Sequence, residues 1–222
     1  MSVTLGVSFI MTGFVVTAFT ALSRNIIDAN STFVCTGIYE AYRAEGYTPT
    51  CTGTHGSLTV TEAITASCNL FFFQVGDLVG IRNLDETAAD FGLGEKTGIE
   101  LTEAVGRVAS PEGKEELYTG VDQNWYSGDT IQAAIGQSDT KLTPIQLARY
   151  CAALANYGTV YETSILKSIS SYDYSDSIYE RTPVAYNTIK TNRTVWNLIR
   201  EGMIGVANDP AGTAYQTFYG YE

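Results

Sequence analysis

The chain has 222 residues, enough for one large domain or two small ones with a buried core. Its hydrophobic content of 45% and aromatic content of 12% indicate a globular protein and argue against disorder. The formal net charge of −11, from 13 basic and 24 acidic residues, argues against nucleic-acid binding, because there is no basic surface to displace phosphate counterions.

The N-terminal segment carries no charged residue from Met1 to Ser23. This run is long enough to span a bilayer, but Thr, Ser and Gly dilute it, and the positive residues typical of a signal peptide do not precede it. For residues 1–24 we therefore favour an atypical apolar helix buried in the core. The alternative is a membrane anchor attached to an unrelated module.

The middle of the chain predicts a helix junction. Residues 26–54 have the composition of a loop, and residues 61–67 predict a short helix with Thr61 as its N-cap. Asn69 to Val79 predicts a second helix, which is apolar on most faces and is therefore expected to be buried. The triplet Ser67-Cys68-Asn69 falls between the two helices, where polar side chains can point into a cleft.

Further along, the predicted elements alternate with loops. Thr143 as N-cap, Pro144 at the first position and Gln146 at the third form a strong helix start. The segments expected in chain order are an amphipathic helix over 83–91, a glycine-punctuated turn over 91–103, a polar loop over 105–128, a helix over 144–156, β-like runs over 159–170, an exposed polar excursion over 171–183, and a last helix from Thr191 or Asn192 to about Val206.

Four cysteines are too few for a disulfide scaffold. Cys35 and Cys51 flank a polar loop and could pair in an oxidising compartment, whereas Cys68 and Cys151 are predicted to be small core residues. A zinc site from Cys35, Cys51, His55 and Cys68 is conceivable. We favour its absence because the close Cys-x-x-Cys pair of structural zinc sites is missing. For His55 we favour a structural hydrogen bond at a turn over a general-base role.

Four segments in a fixed order carry a family resemblance: GTHGSLTVTEAITASCNLFFFQVG, FGLGEKTGIEL, AAIGQSDTKLTPIQLARYCAALANYG and GMIGVANDPAGTAYQTF. Together they resemble the transpeptidase domain of class B, high-molecular-weight penicillin-binding proteins, over residues 26–218. The resemblance implies an α+β fold of the penicillin-binding/β-lactamase type, with residues 1–222 as a partial domain. The closing sheet strands are expected after Tyr221, so we expect a fragment with poor stability in isolation.

The resemblance also implies a chemistry. In that family the serine of a Ser-x-x-Lys motif attacks the D-Ala-D-Ala carbonyl of a peptidoglycan stem peptide, and an amine resolves the acyl-enzyme. By resemblance, Ser67 relays a proton near the lysine and Asn69 holds the substrate amide. No metal or organic cofactor is implied. The implied partners are the stem peptide, β-lactams and other cell-wall synthesis proteins, at the extracytoplasmic face of the cytoplasmic membrane.

The remaining catalytic motifs stand in the wrong places. Lys96-Thr97-Gly98 follows Asn69 by only 27 residues and is interpreted as a decoy, because the catalytic strand belongs after GTAYQTF. Literal Ser-x-x-Lys matches at Ser138 and Ser164 come after Ser67 and are rejected.

The nucleophile belongs within residues 8–14, at or near Ser8, yet no lysine precedes Lys96. Two hypotheses follow. The chain derives from a peptidoglycan D,D-transpeptidase and is inactive alone, or it is a non-enzymatic pseudo-transpeptidase that binds cell-envelope partners.

Overall fold

The structure, a computed structural model, describes the backbone of residues 2–220 and the side chains from Met11 onward. The helices of this part are α1 Ser2–Ser23, α2 Val60–Thr65, α3 Asn69–Val79, α4 Ile81–Asp90, α5 Pro111–Leu117, α6 Ser127–Ala134, α7 Pro144–Ala155, α8 Arg193–Asn208 and α9 Tyr215–Phe218. The strands are β1 Phe33–Cys35, β2 Gly56–Leu58, β3 Thr159–Tyr161, β4 Ser168–Ser170, β5 Ser177–Glu180 and β6 Ala185–Thr188.

The core forms around α3, whose apolar side chains are buried on several faces as its sequence predicts. Helix α1 packs against it, and the Phe14 ring stacks on the Phe72 ring with centroids 4.5 Å apart. From residue 12 to residue 22, α1 is buried throughout, which confirms the prediction of a core helix for that stretch. Among the described residues, no helix has the length and hydropathy needed to span a bilayer.

The strands form small antiparallel pairs, β1 with β2, β3 with β6 and β4 with β5. This mixture of helices and short sheets confirms the predicted α+β class. In the first pair Phe33 lies opposite Leu58 and Cys35 lies opposite Gly56. That register brings the end of β1 beside the residues that precede β2, a contact on which the thiol cluster described below depends.

Several predicted boundaries are confirmed and others are wrong. Helix α3 begins at Asn69 and ends at Val79 as expected, and Thr143 caps α7 with its side chain.

Helix α2 is capped by Thr59 rather than Thr61, because Glu62 reaches back to the Thr59 backbone N–H at 2.8 Å. Segment 105–128 was expected to be a loop but contains α5, whose N-cap Ser110 accepts a hydrogen bond from Gly113 N.

Cys151 is exposed on α7, so its prediction as a core residue is wrong. The helix buries Leu147, Tyr150, Ala153 and Leu154, which share one face at helical spacing. Cys151 follows Tyr150 by one residue and is therefore rotated by about 100° toward solvent.

Helices α2 and α8 are packed so closely that two glycines of α8 have no room for a side chain. A Cβ at Gly202 would lie 2.8 Å from the Cβ of Ile64, and one at Gly205 would lie 2.3 Å from Thr65 Oγ1. This contact fixes the end of α2, and with it the residues that follow Thr65.

We predict that Gly205→Ala lowers the free energy of unfolding by about 1–3 kcal/mol, because the added methyl group overpacks the contact with Thr65. The measurement is urea unfolding followed by circular dichroism. Ile204→Ala is the matched control: its side chain is 57% exposed, and we expect a change within about 0.5 kcal/mol. Equal effects of the two substitutions would contradict the packing described.

Candidate functional site and thiol cluster

The junction between α2 and α3 directs two neighbouring side chains in opposite directions. Ser67 has a φ of +50°, in the left-handed region that non-glycine residues rarely adopt. Cys68 then returns to an extended conformation and caps α3, where its Sγ accepts a hydrogen bond from Phe71 N at 3.5 Å. Ser67 is consequently half-buried at the edge of the core, whereas Cys68 is fully buried.

The Ser67 hydroxyl lies where three distant parts of the chain meet. Its Oγ is 2.9 Å from Thr213 Oγ1 and 3.6 Å from Met11 Sδ. Thr213 is held there by its own N–H, which donates to the Thr65 carbonyl oxygen at 3.4 Å. Met11 and Thr213 were not singled out from the sequence, although each lies in a segment that was: Met11 in the window 8–14, and Thr213 in GTAYQTF.

Asn69 stands at the first position of α3, two residues beyond Ser67. Its side-chain Nδ2 donates to the Thr50 carbonyl oxygen at 3.4 Å. The structure therefore brings Ser67 and Asn69 to one junction, as predicted, but gives them different neighbours. Ser67 faces α1 and the segment after α8, and Asn69 faces the loop that leads to Cys51.

The Lys96-Thr97-Gly98 segment is a turn folded around a carboxylate. Thr97 N and Oγ1 donate to Glu103 Oε2 at 2.9 and 2.8 Å, and Gly98 N donates to Glu103 Oε1 at 3.0 Å. The Thr97 backbone hydrogen bond is the main reason that the pKa of Glu103 is lowered from its ordinary value. With these donors already satisfied, the turn does not present the free strand that a catalytic Lys-Thr-Gly would need.

The literal Ser-x-x-Lys serines also occupy loops. Ser138 is exposed with a φ of +63°, and the Ser164 hydroxyl donates to the Glu100 carboxylate. Neither stands at the start of a buried helix, where the nucleophile of the family is expected. Ser8 lies outside the described side chains.

Three thiols and one imidazole converge beside the junction and form what we call the Cys3His cluster: Cys35, Cys51, His55 and Cys68. Their ligand atoms all lie within 4.8 Å of one another. Cys35 ends β1, Cys51 and His55 lie in the loop before β2, and Cys68 caps α3. The pairing of β1 with β2 and the cap of α3 assemble donors that are up to 33 positions apart in sequence.

Three of the six separations between the donor atoms have the values expected of a tetrahedral metal site. Cys51 Sγ lies 3.8 Å from Cys68 Sγ, and His55 Nδ1 lies 3.5 Å from both Cys35 Sγ and Cys51 Sγ. A zinc ion with Zn–S bonds of about 2.3 Å and a Zn–N bond of about 2.0 Å separates its ligands by about 3.8 Å (sulfur to sulfur) and about 3.5 Å (sulfur to nitrogen). These separations are compatible with zinc. The sequence disfavoured a zinc site here because the close Cys-x-x-Cys pair is missing, and that expectation stays a prediction.

The thiols of the cluster also polarise one another. The hydrogen bond between Cys51 and Cys68 lowers the pKa of Cys51 and raises the pKa of Cys68. The thiolate form is the one that binds metals. Cys35, Cys51 and Cys68 are free thiols in the structure, so the Cys35–Cys51 disulfide that the sequence allowed is not formed. Cys51 is the most accessible of the three, and Cys35 and Cys68 are buried.

Comparison with known proteins assigns the chain to a family. Residues 15–222 match the family described as the penicillin binding protein transpeptidase domain. The chain belongs to this family. The resemblance inferred from four short segments is thereby confirmed over nearly the whole chain.

Curated relatives within the family are similar along most of the chain. The peptidoglycan D,D-transpeptidase MrdA of Salmonella typhimurium strain SL1344 is 36% identical over 173 residues, which cover 74% of this chain and 26% of that protein. MrdA of Escherichia coli strain K12 is 34% identical over 203 residues, covering 90% of this chain and 31% of that protein. The chain thus spans between a quarter and a third of the length of these relatives.

Solved structures of penicillin-binding proteins share the fold. Pseudomonas aeruginosa PBP2 in complex with WCK 5153 superposes with a TM-score of 0.78 at 25% identity, covering 92% of this chain and 45% of that one. Helicobacter pylori PBP2, in a complex with MreC, gives a TM-score of 0.75 at 26% identity, covering 96% of this chain and 37% of that one.

We predict that acid weakens the start of α2 through Glu62. Hydrogen bonds from the Thr59 backbone and hydroxyl lower the pKa of Glu62 below its ordinary value of 4.5. A lowered folded-state pKa means that the stabilisation is present above pH 4.5 and is lost as the pH falls through the folded value.

Glu62→Gln keeps the capping shape but removes this titration. Urea unfolding between pH 7 and pH 3 gives the free energy of unfolding of both proteins. At pH 7 this free energy is expected to be higher for the parent chain by at most about 1 kcal/mol, because Glu62 is exposed. The two curves should converge as the pH falls from 4.5 through the lowered pKa of Glu62. Parallel curves across this range would show that the Glu62 charge does not stabilise the cap.

Proposed function

We propose that this chain is part of a peptidoglycan D,D-transpeptidase that acts in cell-wall synthesis at the extracytoplasmic face of the cytoplasmic membrane. The observation that carries the proposal is the position of the Ser67 hydroxyl, 2.9 Å from Thr213 Oγ1 and beside α1 at the α2–α3 junction. Membership of the family and similarity to MrdA support it. In this proposal Ser67 and Asn69 line the cleft that binds the stem peptide or a β-lactam.

Two observations argue against an acylation machinery beside Ser67. No lysine precedes Lys96, so α1 carries no Ser-x-x-Lys motif. Among the side chains that the structure describes, the α1 group in contact with Ser67 is the Met11 thioether, which has no proton to transfer and cannot become an anionic nucleophile. One helical turn later, Phe14 is fully buried against Phe72. We therefore propose that this chain binds its ligand without forming an acyl-enzyme, which favours the non-enzymatic alternative for the chain by itself.

Partners of the parent protein are proposed on the same basis. The H. pylori PBP2 structure is a complex with MreC. We propose that cell-wall synthesis proteins of this kind, together with the stem peptide and β-lactams, are the partners of the protein to which this chain belongs.

The test is incubation of the full chain with a fluorescent penicillin, followed by denaturing gel electrophoresis and intact-mass measurement. We expect no covalent adduct, because no lysine precedes Lys96 and α1 therefore lacks the Ser-x-x-Lys pair that activates the serine. A catalytically competent penicillin-binding protein, which forms a covalent adduct with penicillin, serves as the positive control. A stoichiometric adduct that is mapped to a serine of α1, such as Ser8, and is lost in Ser67→Ala would contradict the non-acylating proposal.

A second role is favoured by the ligand distances of the Cys3His cluster. We propose that the cluster binds one zinc ion, which holds the loop before β2 against the N-terminus of α3. Three thiolates and one imidazole complete a tetrahedral shell and leave no position open for substrate, so the site is structural rather than catalytic. When bound, the ion would also compensate the charge of closely spaced thiolates.

We predict that the reduced, metal-free chain binds one equivalent of zinc and that binding raises the midpoint of thermal unfolding, because the ion binds the folded state. Isothermal titration and thermal unfolding, with cobalt as a spectroscopic substitute, provide the measurements. Cys68→Ser should weaken zinc binding by at least about tenfold. Cys151→Ser is the matched control and should bind zinc normally, since Cys151 lies on α7 outside the cluster. Equal weakening by both substitutions would contradict the site.

A further inference from the structure

Two sulfurs of the Cys3His cluster are close enough to react with each other. Cys51 Sγ lies 3.8 Å from Cys68 Sγ, and a disulfide bond brings two sulfurs to about 2.05 Å, so an approach of about 1.8 Å is needed. Cys51 lies in a loop without regular structure, which can supply such a movement. Cys35 Sγ also lies within 4.8 Å of both sulfurs, but it is held by contacts with His55 Nδ1 and the Gly53 carbonyl oxygen, each at 3.5 Å.

We propose that zinc binding and a Cys51–Cys68 disulfide are alternative states of this cluster, and that the disulfide state displaces the Ser67-Cys68-Asn69 triplet. The inference rests on the proposed zinc site. Zinc requires both sulfurs as thiolates, and the disulfide removes both from the donor set. Only Cys35 and His55 would remain, and two ligands do not hold a structural zinc ion.

The reaction requires an oxidant, for which we name a small-molecule disulfide such as oxidised glutathione. Because Cys51 is partly accessible and Cys68 is fully buried, the Cys51 thiolate attacks the oxidant, forms a mixed disulfide and releases one thiol. Cys68 then attacks the Cys51 sulfur and releases the second thiol. Two electrons pass to the oxidant, and the two protons lost by the protein thiols end on the two released thiols.

The disulfide would displace the triplet because one of its two sulfurs belongs to the triplet and the other lies next to a residue that binds it. Cys68 is the middle residue of the triplet, and its Sγ accepts the Phe71 N–H that begins α3. Asn69 donates to the carbonyl oxygen of Thr50, the residue before Cys51. Drawing Cys51 and Cys68 together therefore moves the two residues that follow Ser67, and with them the backbone that holds the Ser67 hydroxyl against Thr213.

The experiment uses the full chain carrying Cys151→Ser, which removes the exposed thiol. Zinc binding by the reduced sample is measured first, and its absence would refute the zinc site independently of the redox chemistry. The metal-free sample is then treated with oxidised glutathione, and the linkage is mapped by non-reducing peptide mass spectrometry. We expect Cys51–Cys68. A Cys35–Cys51 linkage, or no protein disulfide, would overturn the proposal.

Zinc at about 100 times its Kd should slow the oxidation about 100-fold, because only about 1% of the sites are then metal-free. Cys35→Ser is the matched variant: it keeps both reacting sulfurs but lacks one zinc ligand. It should form the disulfide at the parent rate, while this zinc concentration should no longer protect it. Oxidation of the parent at the same rate with and without bound zinc would overturn the claim that the states are alternatives.

Amide hydrogen exchange across residues 65–71 reports on the triplet. Exchange in the disulfide state is expected to be at least about tenfold faster than in the zinc-bound state, because the capping interaction of α3 is lost. Equal exchange in the two states would overturn the proposed displacement of the triplet.

Discussion

The turn that joins α2 to α3 is the constraint on which the rest of the structure depends. Within two residues the chain must place a hydroxyl at the edge of the core and a thiol inside it. A left-handed Ser67 followed by an extended Cys68 meets that requirement. Left-handed backbone is unfavourable for serine, so the surrounding packing has to stabilise it. Glycine-mediated contact between α2 and α8 on one side and the buried α3 on the other provide that packing.

This arrangement links the two candidate sites of the chain. Ser67 contacts Met11 of α1 and Thr213 of the segment after α8. Cys68 contacts Cys51 within the Cys3His cluster. A metal ion held by Cys68 would therefore fix the backbone that carries Ser67 without contacting the Ser67 hydroxyl. In this arrangement the proposed ion and the proposed substrate-binding residues share three consecutive positions.

The sequence predicted those features that depend on local chemistry. The bounds of α3, the Thr143 cap of α7 and the Asn192 cap of α8 follow from apolar runs and capping side chains. The sequence named the four residues of the Cys3His cluster but gave no reason to expect that they converge, because they come from a strand end, a loop and a helix cap, and their distances depend on the β1–β2 register. The same limit applies to Thr213, which reaches Ser67 only because α8 packs on α2.

The proposed tetrahedral site at the α2–α3 junction, with three sulfur ligands and one nitrogen ligand, is tested most directly by X-ray absorption at the zinc edge of the zinc-loaded, reduced chain. We expect three Zn–S distances of about 2.3 Å and one Zn–N distance of about 2.0 Å. A first shell made only of oxygen and nitrogen atoms would contradict it.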